Sequence, residues 1–351
     1  MTAVPSTVAV GAVRAAASTA WHVLRALPGR RDAALAAVNG AFGDVLAEQE
    51  SPLAIPMTLR AAGSVLPLDR DGLAARLPTA TGRICVFVHG LMSTESIWSF
   101  PGDPQTTFGS LLARDRGVTA VYVRYNTGQH ISTNGKDLAI RLHELMRVWP
   151  VRVEELSLVG HSMGGLVVRS ACHYGPALRV GGMFPPRRPW SSKVRRVVLL
   201  GTPNTGASLE VVTNLASRAL WAVPMPVTRI VGLGLDRRSA GVKDLRWGFV
   251  VDQDWQERDP DSGERPRLHP VSSAPRARHL LVAGSLTANE DHPVSRALGD
   301  TLVSAASARG AITGDNSAGL LPRSTVHTLP RMSHLALANR PEVYEAILRW
   351  W

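Results

Sequence analysis

A serine between two glycines, in the run Gly160-His161-Ser162-Met163-Gly164, constrains this chain more than any other stretch. The apolar run before it predicts a buried strand, and apolar residues at helical spacing from Met163 onward predict a helix. Ser162 is therefore expected on a strained strand-to-helix turn with its Oγ exposed at the end of the strand. Gly160 and Gly164 occupy the positions where a side chain would collide as strand and helix approach. Because such short patterns recur by chance, an ordinary small-residue turn is the alternative that the rest of the chain must exclude.

The same turn provides a hydrogen-bond donor for a developing negative charge. Met163 is the first residue of the predicted helix, so its backbone N–H has no partner within that helix and lies at the positive end of the helix dipole. An oxyanion would be stabilised at that position.

A second buried strand is predicted over residues 84–88, where five consecutive apolar residues describe a strand covered on both faces. Gly90 ends it where the backbone must turn sharply. We interpret His89 as a residue that orients this loop rather than as a catalytic base, because a base must reach Ser162 with its other ring nitrogen held by a carboxylate.

Strand and helix patterns alternate along most of the chain, which predicts an α/β fold with a mostly parallel central sheet flanked by helices. A first hairpin is expected within Ile55–Leu68. The further predicted elements are strands at Val118–Tyr125, Val194–Leu200, His279–Gly284 and Ser324–Leu329, a helix at Lys136–Val148, and a closing helix that runs to Trp351.

The chain divides into an N-terminal amphipathic helical extension, residues 1–50, and a main α/β domain, residues 51–351. Helices at Thr7–Leu27 and Arg31–Leu46 are expected to pack on the domain, with a membrane-facing surface or a partner interface as alternatives. Residues 207–247 are apolar and strand-free, which favours a helical cap or lid over the catalytic face, although a core segment is the alternative.

The 351 residues carry a formal charge of +11, and only Lys136, Lys193 and Lys243 are lysine. The basic residues are scattered, so we interpret the charge as a composition bias, with weak attraction to acidic lipid surfaces as the alternative. No nucleic-acid-binding signature and no run of eighteen apolar residues occurs, so neither nucleic-acid binding nor a membrane span is expected. Cys85 and Cys172 form no disulfide or metal pattern, which favours a reducing, cytoplasmic location, with peripheral membrane contact left open.

A serine hydroxyl needs a base and a carboxylate that orients the base, and in sheet order both should follow Ser162. His334 lies just past the last predicted strand, where such a base must stand. His327 lies inside that strand and His292 before it, so His334 is preferred.

Asp300 is preferred as the acid over Asp291, because the glycine before it permits a turn and the apolar residues after it can anchor it beneath the histidine. Asp252 and Asp254 are outside candidates.

Taken together, the motifs resemble those of serine esterases and lipases of the α/β-hydrolase superfamily, over about residues 83–351. The resemblance is greatest to the triacylglycerol-lipase and inositol-deacylase-like branch. It rests on His89-Gly90-Leu91, Gly160-His161-Ser162-Met163-Gly164-Gly165, Gly201-Thr202-Pro203, Gly299-Asp300-Thr301-Leu302-Val303 and Ser333-His334, which occur in this order.

The resemblance implies a triad of Ser162, Asp300 and His334 and an oxyanion hole made by the backbone N–H groups of Leu91 and Met163, with Met92 as the competitor of Leu91. At the position after Asp300, where relatives have glycine, this chain has Thr301.

The expected activity is hydrolysis of a small-molecule or lipid carboxylic ester through an acyl-enzyme, without a cofactor or metal. A thioesterase or an acyltransferase would use the same residues. A non-catalytic lipid-binding or interaction protein, and a membrane-surface protein that depends on its N-terminal helices, are the alternatives from other classes.

Overall fold

The structure is a computed structural model that describes residues 31–177, 189–207, 238–256, 267–271, 274, 276–285, 307, 321 and 324–351.

An eight-stranded, mostly parallel sheet forms the centre of the described part. Its strand order is β2-β1-β6-β3-β7-β8-β9-β10. All pairs from β6 to β10 are parallel, whereas β1 pairs antiparallel with both β2 and β6, and β4 and β5 form a separate hairpin. The strands are β1 (Thr58–Ala61), β2 (Ser64–Val65), β3 (Arg83–Val88), β4 (Ser99–Phe100), β5 (Asp103–Thr107), β6 (Thr119–Arg124), β7 (Glu155–His161), β8 (Val194–Leu200), β9 (Arg278–Ser285) and β10 (Ser324–Pro330).

Helices cover both faces of this sheet. They are α1 (Arg31–Glu48), α2 (Arg70–Arg76), α3 (Phe108–Arg116), α4 (Ile131–Val148), α5 (Met163–Tyr174), α6 (Ala240–Trp247), α7 (Asp252–Trp255) and α8 (Pro341–Trp350). Alternate side chains of β3 point to opposite faces, since Val86 lies in the core beneath α1, α4 and α5 whereas Phe87 lies in the core beneath α3 and α8. Strand β3 is therefore buried on both sides, and β7, β8 and β9 are buried along most of their length, which explains their continuous apolar sequences.

The parallel register brings the carboxyl ends of three strands to one edge of the sheet. Val88 of β3 lies opposite Gly160 of β7, and His161 lies opposite Leu200 of β8. Loops that follow these strands therefore meet at a single edge, which we call the catalytic edge. The strand order, with the serine at the turn from β7 to α5, is the α/β-hydrolase fold, as the sequence predicts.

Helix α1 differs from the predicted amphipathic helix. Its residues from Ala34 to Leu46 are buried on nearly all sides. Its alanines and glycines allow neighbouring backbone to approach closely. The helix can therefore be buried on nearly all sides and has no need of a polar face toward solvent. Residues 31–48 thus belong to the core of the domain, although the sequence assigns them to an extension; residues 1–30 lie outside the described residues.

The segment around α6 also belongs to the core. Val242 and Leu245 are 2% and 0% exposed, so the carboxyl end of the predicted cap packs into the domain. Residues 208–237 of that segment are not among those that the structure describes, and the cap stays a prediction.

Two further sequence expectations need correction. Helix α4 begins at Ile131, earlier than predicted, because the Asp244 carboxylate accepts the Ile131 N–H (2.8 Å) and caps the helix from α6. The predicted surface loop 252–275 begins with α7, in which Asp254 is fully buried. In the described part, no helix is long and apolar enough to cross a bilayer.

Candidate active site

Ser162 occupies a strained turn between β7 and α5. Its backbone has φ 55° and ψ −126°, a conformation that non-glycine residues rarely adopt and that persists only where the surroundings enforce it. The Ser162 N–H donates to the Leu200 carbonyl oxygen of β8 (2.8 Å), and Ser162 C=O accepts from Gly165 N–H (3.0 Å). The neighbouring strand and the first turn of α5 therefore hold the serine in place.

The glycines around Ser162 are required by close packing. A methyl group at Gly160 would lie 2.5 Å from Gly165 Cα. One at Gly164 would collide with the backbone carbonyl groups of Val88 and His89 at the end of β3. The structure thus confirms that Gly160 and Gly164 permit the close approach of β7, α5 and β3.

The Ser162 side chain is buried, whereas the sequence predicts an exposed Oγ. The residue is 1% exposed, and within the described part of the chain its Oγ has no hydrogen-bond partner. Gly90 of the loop after β3 lies directly against it, since a methyl group at Gly90 would be 3.0 Å from Ser162 Cβ. An unsatisfied buried hydroxyl calls for a functional explanation, because buried polar groups are otherwise nearly always paired.

The structure places His334 beside the residue that precedes Ser162. His334 follows β10 and is fully buried. Its carbonyl oxygen accepts a hydrogen bond from His161 Nε2 (3.0 Å), and the two imidazole rings are 4.9 Å apart. A methyl group at Gly201, after β8, would lie 3.0 Å from His334 Nδ1. The predicted base is thus brought to the catalytic edge, whereas His327 stays within β10 and His292 lies outside the described residues.

The predicted oxyanion donors lie on the two loops that flank Ser162. Met163 begins α5 and is fully buried. Leu91 is 5% exposed, and the described residues hold no acceptor for its N–H. The N–H of its competitor Met92 instead donates to Thr127 Oγ1 (3.1 Å). This geometry favours Leu91 over Met92 as the donor from this loop.

The preferred acid, Asp300, and its alternative Asp291 lie outside the described residues. The two outside candidates have other partners. Asp252 pairs with Lys136. Asp254 accepts the N–H groups of Val250 (3.0 Å) and Val251 (3.2 Å), and its Oδ1 lies 3.0 Å from His269 Nδ1. These contacts identify Asp254 as a structural carboxylate.

Two buried histidines near Ser162 and His334 are neutral at pH 7. Burial, with the nearby His334, lowers the pKa of His161 to about 3, and burial lowers the pKa of His89 to about 4. His161 donates through Nε2 to a carbonyl, so its proton is on Nε2. His89 Nδ1 donates to Gly90 C=O (2.9 Å), and its ring stacks on Tyr125 (4.6 Å). These contacts fix the loop after β3.

Arg169 of α5 is a buried cation that sequence reasoning missed. Its Nη1 donates to the carbonyl oxygen (3.3 Å) and side-chain oxygen (3.2 Å) of Asn204, in the loop after β8. Burial lowers its pKa to about 10, so it remains charged at neutral pH. These hydrogen bonds connect α5 to the loop after β8, which carries Gly201. No motif marks Arg169, because an arginine in an amphipathic pattern normally predicts exposure.

Helix α1 and Thr127 were also missed as neighbours of the site. Thr127 is 1% exposed, and Gly40 of α1 packs against the side chain of Met92. Nothing in the spacing of the sequence connects these positions to the loop after β3.

Metal-ligating clusters are absent from the described residues, where no three His, Cys, Asp or Glu side chains are grouped to hold a metal ion. Cys85 and Cys172 are free, buried thiols, and burial raises the pKa of Cys172 to about 12. Neither cysteine is an activated nucleophile.

A family model described as a domain of unknown function, DUF7379, matches residues 65–227. None of the curated proteins matches the chain.

Solved structures similar to this chain include the mature lipase BlEst2 from Bacillus licheniformis, at 19% identity and TM-score 0.46, covering 76% of this chain and 91% of that one. A thermophilic esterase from Thermogutta terrifontis matches at 16% identity and TM-score 0.40, covering 77% of this chain and 90% of that one. Lipase B from Aspergillus fumigatus matches at 12% identity and TM-score 0.45, covering 83% of this chain and 55% of that one.

Proposed function

We propose that this protein is a serine hydrolase that cleaves carboxylic esters through an acyl-enzyme. The observation that carries the proposal is the strained, buried Ser162, whose Oγ lacks a partner in the described part and whose preceding residue is hydrogen-bonded to His334. The motif resemblance over residues 83–351 supports the same activity.

In the proposed reaction, Ser162 Oγ attacks the ester carbonyl carbon while His334 takes its proton. The carbonyl oxygen gains a negative charge, which the N–H groups of Leu91 and Met163 stabilise. The intermediate collapses to a serine ester as His334 returns the proton to the departing alcohol. Water then attacks this ester as His334 takes its proton, and His334 passes that proton to Ser162 Oγ as the acid is released and the serine is freed. Asp300 is proposed to orient His334.

The neutral His161 supports this role for His334. A protonated His161 would place a second positive charge 4.9 Å from the His334 ring and oppose formation of the imidazolium. Because burial keeps His161 neutral, the proton transferred from the serine meets no such repulsion.

The test is hydrolysis of p-nitrophenyl esters from acetate to palmitate, together with labelling by a fluorophosphonate. We expect Ser162→Ala to abolish both turnover and label. Ser170→Ala is the matched control, because Ser170 is a buried serine on the same helix, and it should keep both. The chain length with the highest kcat/KM separates an esterase from a lipase.

A wild-type protein that neither hydrolyses any of these esters nor takes up the label would refute the proposal and favour the non-catalytic lipid-binding alternative. Labelling without ester turnover would favour a thioesterase or an acyltransferase. Asp300→Asn and Asp291→Asn, compared in the same assay, identify the acid.

The affiliation to the inositol-deacylase-like branch, the action on lipids, the cytoplasmic location and the peripheral membrane contact are further proposals. Flotation of the full chain with neutral and anionic vesicles tests the last of these.

A further inference from the structure

Met92, in the loop that follows β3, has an unusual backbone. Its φ is 54°, in the left-handed region that disfavours residues with a side chain. It directly follows Leu91, the proposed oxyanion donor, and its N–H belongs to the peptide group that joins the two residues, so contacts that hold Met92 also restrain Leu91 from its carboxyl side. A strained residue of this kind persists only where its surroundings fix it.

Two contacts from distant parts of the chain fix Met92. Its N–H donates to Oγ1 of the buried Thr127 (3.1 Å). Its side chain packs onto Gly40 of α1, where an added methyl group would overlap Met92 Cγ and lie 3.2 Å from Cε and 3.3 Å from Cβ. Gly40 therefore forms a notch that admits the Met92 side chain.

Helix α1 is itself held from two sides. Asn126 Nδ2 donates to Gly43 C=O (2.7 Å). Ser239 Oγ donates to Gly40 C=O (2.7 Å), and Ala240 N–H donates to Asp44 Oδ2 (3.0 Å). The glycine notch is therefore in a fixed position relative to the loop after β6, which also carries Thr127.

We propose that Thr127 and Gly40 are positioning residues for the oxyanion hole. They hold Met92 and the peptide group that joins it to Leu91, and so restrain Leu91 with its N–H toward the position of the developing oxyanion. The inference rests on the proposed ester hydrolysis. It assigns α1 a role in positioning the oxyanion hole, although this helix precedes the residues that the family model matches.

The Thr127 arm compares Thr127→Val with Thr127→Ser. Valine keeps the shape and removes the acceptor for Met92 N–H, whereas serine retains it. We expect Thr127→Val to lower kcat about 10- to 100-fold with KM within about twofold, because an oxyanion donor acts mainly in the transition state. Thr127→Ser should restore most of the rate.

The Gly40 arm uses a paired substitution. Gly40→Ala fills the notch and should lower kcat by a similar factor of about 10 to 100. Adding Met92→Ala removes the side chain that the new methyl group meets, so the double variant should be more active than Gly40→Ala alone. Gly109→Ala is the control, because its methyl group meets Tyr122 on the opposite face of the sheet. It should leave kcat unchanged.

Hydrogen exchange of the amides in residues 88–98 provides a readout that does not depend on activity. We expect faster exchange there in Thr127→Val and Gly40→Ala, and wild-type exchange in Thr127→Ser and Gly109→Ala. Exchange in this segment that none of the variants alters would overturn the inference, even if the wild type hydrolyses no ester. Wild-type kcat in both Thr127→Val and Gly40→Ala, in an active enzyme, would overturn it as well.

Discussion

Ser162 and Met92 both have a positive φ, 55° and 54°, but they are held in different ways. Ser162 is fixed mainly through its own turn, where Gly160 and Gly164 let strand, helix and neighbouring loop close around it, with one hydrogen bond to Leu200 of β8. Met92 is fixed by Thr127 and by Gly40 of α1, far away in sequence. The conformation of Ser162 thus depends mainly on a local sequence motif, whereas the conformation of Met92 depends on tertiary packing.

The largest effect is expected where the local motif is broken. Gly164→Ala would direct a methyl group into the backbone carbonyl groups of Val88 and His89, which cannot move aside as a flexible side chain could. We expect a loss of about 3 kcal/mol or more in the free energy of unfolding, measured by urea denaturation, and loss of esterase activity.

Gly102→Ala is the control for this prediction. Unlike Gly164, Gly102 has a positive φ, 82°, but nothing lies within 4 Å of an added methyl group. It should cost only about 1 kcal/mol, and activity should persist. A loss in Gly164→Ala no larger than in Gly102→Ala would contradict the expected collision with the carbonyl groups of Val88 and His89.

The pH dependence of stability sharpens the comparison, because His161 belongs to the turn and His89 to the loop after β3. Burial lowers both pKa values, to about 3 and about 4, from an ordinary value of 6.5. Below pH 6.5 these two histidines therefore bind protons in the unfolded chain that they do not bind in the folded chain. The contribution of these two histidines to the free energy of unfolding is fully present above pH 6.5. It falls as the pH drops toward 4 and 3, by on the order of a few kcal/mol in total.

Urea denaturation of the wild type, His161→Gln and His89→Gln between pH 7.5 and 4 measures these contributions. In each variant, the free energy of unfolding should fall less steeply with decreasing pH than it does in the wild type. A wild-type stability that stays constant from pH 7 to pH 4 would contradict the expectation that these imidazoles are buried and neutral.

The smallest effect is expected from one of the distant supports of the loop after β3. Asn126→Ala removes the hydrogen bond to Gly43 C=O (2.7 Å) and the acceptor for Gly128 N–H (3.0 Å). We expect a loss of about 1–2 kcal/mol in stability and a fall in kcat smaller than that of Thr127→Val.

Thr81→Val is the matched control for Asn126→Ala. Thr81 hydroxyl contacts the Arg83 and Gly117 carbonyl oxygens at the opposite end of β3. It should lower stability without altering kcat. A fall in kcat of equal size in both variants would mean that activity follows global stability and not the support of this loop.

The contrast between Ser162 and Met92 also explains how far the sequence could be interpreted. The core strands, the turn at Ser162 and the position of His334 after the last strand follow from patterns within short windows, and the structure places these elements where the sequence predicts them. Parallel strands buried on both faces have a continuous apolar signal that is difficult to mistake.

Features that depend on distant packing could not be predicted. The sequence predicts that α1 packs on the domain, but its burial on nearly all sides was missed, because its alanines and glycines give a weak periodic signal. The early start of α4 was missed because its cap, Asp244, comes from another helix. The support of Met92 by Thr127 and Gly40 was missed because no spacing rule relates these positions.

The hydrogen bond from Ser239 to Gly40 has a consequence for the order in which the molecule folds. It joins residues 199 positions apart, and contacts of such sequence separation form late because a long loop must first be closed. During synthesis the strands from β3 to β8 have all emerged before Ser239 is available to hold α1. A nascent chain can therefore complete the turn around Ser162 well before α1 is fully secured beside Met92, so that catalytic competence would be acquired only near the end of folding.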